Sequence, residues 1–140
     1  MSNLSFPKTI KYNNNHMYKL KNIQKPYKLD YGDWGIVANE SNIITPNQIE
    51  SARCCISKNI KNYGKMWIKI LPNHIISKKP KDSRMGAGKG KIFKWLFILK
   101  PGDVIFESTM VPLPIIIQTF KLVKKKLKVK TKLIINKNVQ

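Results

Sequence analysis

Two hydrophobic rhythms alternate along the chain. In "KLDYGDWGIVA" (28–38), Leu29, Tyr31 and Asp33 fall on one face, with Trp34, Ile36 and Ala38 nearer the other. That two-residue period predicts a strand, and Gly32 and Gly35 mark it as bulged or kinked. The period changes in "ITPNQIESARCCISKNIKNYGK", where Ile49, Ala52, Ile56, Ile60 and Tyr63 recur at helical spacing. Thr45 and Gln48 make a T-x-x-Q capping box, Pro46 suits the first turn and Gly64 supplies the stop. Alternation returns in "KMWIKIL" (65–71), which sets Lys65, Trp67, Lys69 and Leu71 against Met66, Ile68 and Ile70.

"HIISKKP" reads as a short strand, and "IFKWLFIL" (92–99) as a dense one ended by Pro101-Gly102. That turn predicts "DVIFES" (103–108) as the hairpin partner of 92–99. A second helix is expected over "VPLPIIIQTFKLVKKKL". Ile116, Phe120, Val123 and Leu127 share one face there, with Lys121, Lys124, Lys125 and Lys128 largely opposite. "KVKTKLII" (128–135) closes as a strand. The order predicts an α+β domain of two helices packed on a mixed, mostly antiparallel sheet. Residues 1–27 hold no period and read as a basic, extended arm ordered on a polyanion. Residues 28–136 then form a single domain, with 137–140 as a short tail.

Charge narrows the function classes. The 140 residues carry 27 Lys+Arg against 7 Asp+Glu, a formal net charge of +20. A compact domain with that excess repels itself unless a polyanion neutralises it, and nucleic acid is the default partner. The two cysteines, Cys54 and Cys55, are adjacent, so they read as reduced, buried thiols rather than a disulfide framework or a metal site. His16 and His74 show no ligand spacing. No metal, cofactor, membrane or small-molecule substrate is implied, and no apolar run reaches the roughly 18 residues of a membrane span. The seven acids show no paired general acid/base arrangement. An RNA-modifying enzyme using Glu107 or His74 is the weaker alternative, because nothing near His74 in sequence would orient it.

The basic stretch "RMGAGKGK" (84–91) is the strongest local signal. It fails as a phosphate-binding P-loop: Ser83 or Met85 stands where the first glycine belongs, and Gly90 or Ile92 where Ser or Thr belongs. It fails as a dinucleotide fingerprint because Lys91 takes the place of the third glycine. What remains is a mobile surface loop or a loop whose glycines let the backbone approach a neighbouring surface, and the density of cations from Lys78 to Lys94, opposed only by Asp82, favours the second. Lys89 and Lys91 reach phosphates, Arg84 bridges phosphate or base edges, and Met85 packs on a base or ribose.

"RMGAGKGK", followed by an aromatic strand and "KPGDVIFE", resembles the large-subunit ribosomal protein L-sixteen family, bacterial type. "TPNQIESAR", "KNYGKMWIKILPN" and "FKLVKKKLKVKTKLI" extend the resemblance over roughly residues 28–135. It implies an α/β-hammerhead type of α+β fold and a structural, non-enzymatic role. The partners it implies are large-subunit rRNA, neighbouring ribosomal proteins and the aminoacyl-site tRNA near the peptidyl transferase centre. The implied RNA contacts are Arg84, Met85, Gly86, Gly88, Lys89, Gly90 and Lys91, with Lys65 and Lys94 beside them.

Ala87 stands where bacterial members often carry lysine, and "NESNI" (39–43) replaces a basic stretch. A free-standing basic RNA chaperone is the competing reading, which the net charge alone would allow. The excess of Lys, Ile and Asn, with arginine only at Arg53 and Arg84, points to an A/T-biased genome, that of an organelle or of a reduced bacterium. With no presequence in "MSNLSFPKTI", the expectation is an organelle-encoded protein of the mitochondrial ribosome, the plastid ribosome being the alternative.

Overall fold

The computed structural model describes residues 20–21, 23–86 and 88–136. Most of the basic arm, Ala87 and the tail 137–140 lie outside the described residues. The chain runs β1 (Trp34–Ala38), β2 (Asn42–Ile44), α1 (Pro46–Ile60), β3 (Met66–Ile68), β4 (His74–Lys78), β5 (Lys91–Leu99), β6 (Val104–Ser108), α2 (Leu113–Leu127) and β7 (Thr131–Ile135). This is the expected α+β class, two helices on antiparallel strands. The strands divide between two sheets, ordered β3-β6-β1-β7 and β2-β5-β4.

Both helices form where the periodicity places them. In α1 the Gln48 carboxamide accepts from the Thr45 N–H at 3.0 Å and the Thr45 hydroxyl at 3.2 Å, so the capping-box glutamine closes the first turn. Ile49, Ala52, Ile56 and Ile60 are buried, whereas Tyr63 lies beyond the helix end and is exposed. In α2 the buried face is Ile116, Thr119, Val123 and Leu127, with Phe120 only half-buried against the core. Thr119 joins that face because its hydroxyl accepts from Asn59 Nδ2 of α1 at 3.3 Å. The core fills the space between this helix pair and the face of β1 that presents Trp34, Ile36 and Ala38.

The hairpin expected between 92–99 and 103–108 does not form. Strand β5 is already paired on both edges, Ile43↔Ile98 with β2 and Ile75↔Trp95 with β4. The Pro101-Gly102 turn is instead hydrogen-bonded to the end of β1: Gly102 N–H donates to Ala38 O at 2.9 Å and Ala38 N–H to Asp103 O at 3.0 Å. The turn therefore hands the chain from one sheet to the other, and β6 pairs with β1 and β3. β2 was not foreseen, because three residues after "NES" are too short to show a period.

The adjacent cysteines are not both buried. Successive residues sit about 100° apart on a helix, so only Cys55 packs against the core while Cys54 is exposed beside Arg53 and Glu50.

The predicted first strand starts later than its pattern suggested, and the cause is Glu107. Its carboxylate is fully buried and accepts from the N–H groups of Asp30 (3.2 Å), Tyr31 (2.8 Å) and Gly32 (3.1 Å). Those donors leave the sheet ladder to form an anion-binding nest. Lys69 Nζ stands 3.9 Å from Glu107 and 2.5 Å from Asp30. The segment before β1 thus lies as a strap over the sheet: Lys25 bonds Asp103 at 3.1 Å, Tyr27 faces Lys132, and the Leu29 side chain occupies the space over Gly35.

The packing generates a sharp contrast between two positions on α1. Ile56→Asp buries an unpaired charge and should abolish the cooperative thermal transition, while Lys58→Ala on the exposed face should change stability by less than about 0.5 kcal/mol. A folded Ile56→Asp protein would contradict the core assignment.

Glu107→Gln keeps the shape but removes one acceptor oxygen and the charge, so denaturant unfolding should show a loss of about 1.5–3 kcal/mol. Stability equal to the parent's would mean that the carboxylate does not hold the strap.

The pH dependence follows from the depressed carboxylates. The Lys69 ammonium holds Asp30 below the usual range, the Lys130 N–H does the same for Glu40, and the Arg53 guanidinium for Glu50. Stability from these groups is full above the unfolded carboxylate value of about 4 and falls as pH drops through their lower folded values. An acid titration of the melting temperature should be flat near neutrality and decline below about pH 4, and Lys69→Met should weaken that decline.

Candidate nucleic-acid interface

Strands β4 and β5 form a two-stranded ribbon that carries the glycine-rich loop at its tip. Pairing runs from His74↔Leu96 to Lys78↔Lys91, with a bulge between Ile76 and Ser77. The ribbon ends on two lysines directly opposite one another, an arrangement that costs free energy until an anion comes between them. Beyond that pair the loop turns through Pro80–Ser83 and returns through Gly86, Gly88 and Gly90.

The glycines have separate physical reasons. Gly86 and Gly88 adopt φ of +106° and +78° in open space, conformations that side-chain-bearing residues rarely take. Gly90 is a matter of room: a Cβ there would lie 2.4 Å from the Lys78 carbonyl and 2.5 Å from Lys79 N. The two arms of the loop meet at that point, and any side chain would force them apart. Lys79 Nζ donates to the Gly86 carbonyl across the gap.

The arms border an open cavity of about 790 Å³, lined by Lys78, Lys79 and Lys81 on one side and Arg84, Met85, Lys89, Lys91 and Phe93 on the other. Of the residues expected to contact RNA, the structure brings Arg84, Met85, Gly86, Lys89, Gly90 and Lys91 together here, while Gly88 belongs to the same loop but does not line the cavity. Arg84, Lys89, Lys91 and Lys94 are exposed, and Met85 is as exposed as a side chain can be, at 104%. Lys94 stands on β5 with its ammonium 4.9 Å from the Phe93 ring centroid. Lys65 is not part of this cluster: it precedes β3 in the other sheet, where its carbonyl accepts from the Ser108 hydroxyl at 2.6 Å.

Sequence reasoning missed Phe93. It is 54% exposed, with Lys78 5.3 Å and Lys94 4.9 Å from its ring centroid, so an aromatic surface sits between two cations. The signal was available in "IFKW", where an aromatic interrupts the cationic run, but it was absorbed into the hydrophobic strand.

The catalytic reading of Glu107 finds no support in the geometry. Glu107 is buried under three backbone donors, Glu50 is bonded to Arg53 and Glu40 to Lys130. Asp33 accepts from Met110 N–H at 3.0 Å, and Asp103 from Lys100 N–H at 2.8 Å. Those carboxylates make their contacts outside the glycine loop. Among the described residues no group of His, Cys, Asp and Glu is placed to hold a metal ion, and no helix is long and apolar enough to cross a membrane.

With this geometry in hand, comparison with known proteins is specific. The family model for ribosomal protein L16p/L10e matches residues 7–134. The chain is also 36% identical over 135 residues to the large ribosomal subunit protein uL16 of Christiangramia forsetii, an alignment covering 96% of this chain and 97% of that protein. With both matches spanning almost the whole chain, the protein belongs to the ribosomal protein L16p/L10e family.

Proposed function

We propose that this protein is a structural constituent of the large ribosomal subunit that binds large-subunit rRNA and helps shape the aminoacyl-tRNA site near the peptidyl transferase centre. The observation that carries the reading is the tip of the β4–β5 ribbon. There Lys78, Lys79, Lys81, Arg84, Lys89, Lys91 and Lys94 surround glycines whose backbone can approach a polyanion closely. Family membership supports the ribosomal setting, and a ribosomal protein of this family is structural rather than enzymatic. In this role Arg84 spans phosphate or base edges with two donors, the lysines neutralise phosphates, and Met85 packs on a base or ribose. The domain 28–136 docks as one body.

The compartment we propose is the mitochondrial ribosome. The support is the excess of Lys, Ile and Asn that A/T-rich codons produce, which a plastid gene would share. The replacement of basic charge at 39–43 has an internal counterpart, since Glu40 accepts from Lys130 Nζ at 3.3 Å.

Sucrose-gradient sedimentation of organelle lysate tests the whole reading. Co-migration with large-subunit rRNA that survives a moderate salt wash is the expected result. Sedimentation at the top of the gradient, or on every RNA present, would leave a basic RNA chaperone.

For the loop, Arg84→Ala should melt at the parent's temperature, weaken rRNA binding by about 1–3 kcal/mol and impair large-subunit maturation or tRNA accommodation. Parental affinity should fall steeply with salt, at roughly 0.7–0.9 of a logarithmic unit per neutralised phosphate. A flat salt response would defeat the electrostatic account.

A further inference from the structure

A second patch, on a different sheet from the glycine loop, has the components of an RNA contact. Lys65, Trp67 and Lys69 alternate along β3 and the residues flanking it, and Trp67 pairs across the sheet with Glu107. All four therefore share the outer face, while Met66 and Ile68 pack against the core. On that face the Tyr31 ring lies 5.9 Å from the Trp67 ring, tilted by 34°, and Lys69 Nζ stands 4.7 Å from the Tyr31 centroid. Tyr31 is still 64% exposed, although its own N–H is held by the buried Glu107 carboxylate. An exposed aromatic side chain is here fixed from both its backbone and its ring.

We infer that Tyr31 and Trp67 form a stacking platform for one unpaired rRNA base, whose flanking phosphates are met by Lys28 and Lys65. The inference rests on the reading that this chain binds rRNA, and it adds a site away from the loop. Charge favours RNA over a protein partner. The two acids of the patch are already engaged, Asp30 by Lys69 and Glu107 by three N–H groups, so what faces outward is aromatic surface flanked by cations. Aromatic faces beside a cationic track are the elements by which proteins hold single-stranded nucleic acid, and stacking is independent of base identity. Pre-organisation by Glu107 and Lys69 lowers the ordering cost of binding.

Ultraviolet cross-linking of washed large subunits carrying the full chain, followed by peptide mapping, is the decisive experiment. Nucleotide adducts on Tyr31 or Trp67 are expected. Adducts confined to the loop, or cross-links from 28–31 to another protein, would overturn the platform while leaving the ribosomal reading intact. Absence of the protein from the large subunit would remove both.

A binding measurement adds an independent readout, using the purified full chain and a short oligouridylate at raised salt. Tyr31→Leu should weaken binding about tenfold without changing the salt slope, Tyr31→Phe should bind as the parent does, and Lys65→Ala should lower the slope by about one. Equal affinity of the parent and a normally melting Tyr31→Leu protein would count against stacking.

Discussion

A single buried carboxylate ties the architecture together. Glu107, the penultimate residue of β6, has no exposed surface, a costly place for a charge unless every lone pair is occupied. Three successive N–H groups from 30–32 occupy it, and Lys69 stands close by. The same contact ends the strap, starts β1 at Trp34, and covers the sheet face that the helices leave open. Because β6 lies between β1 and β3, the anchor acts at the centre of the four-stranded sheet rather than at its rim.

This arrangement also determines where the charge goes. With a net of +20 the chain has few acids, and the structure uses Asp30, Asp33, Glu40, Glu50, Asp103 and Glu107 to hold its own strap, turns and helix. At the end of the β4–β5 ribbon Lys78 and Lys91 face one another. Self-repulsion at that tip is the physical counterpart of an affinity for phosphate, since the anion removes a penalty that the free protein carries.

Much of this was legible from residue order. The periods of α1 and α2, the capping Gln48 and the basic glycine loop all depend on neighbours within a few residues, and each appears where local chemistry placed it. Strand pairing was less legible. "KPGDVIF" reads as a hairpin turn on local grounds, but both edges of β5 were already occupied, and Ala38, more than sixty residues earlier, captured the turn instead. Cys54 was read as buried with Cys55 because adjacency hides the rotation between successive helical positions. Phe93 was read as strand hydrophobicity because only the folded ribbon sets lysines around its ring.

By itself the sequence determined the helices, the α+β class, the cationic character and the family, because these follow from local periodicity, summed charge and contiguous motifs. Tertiary structure decided that the strands split into two sheets and that Glu107 is an anchor rather than a reactive acid. It also brought Tyr31, Trp67 and Lys69 together from distant segments. Those outcomes depend on which groups compete for the same hydrogen bonds and the same space, and that competition exists only once the chain is folded.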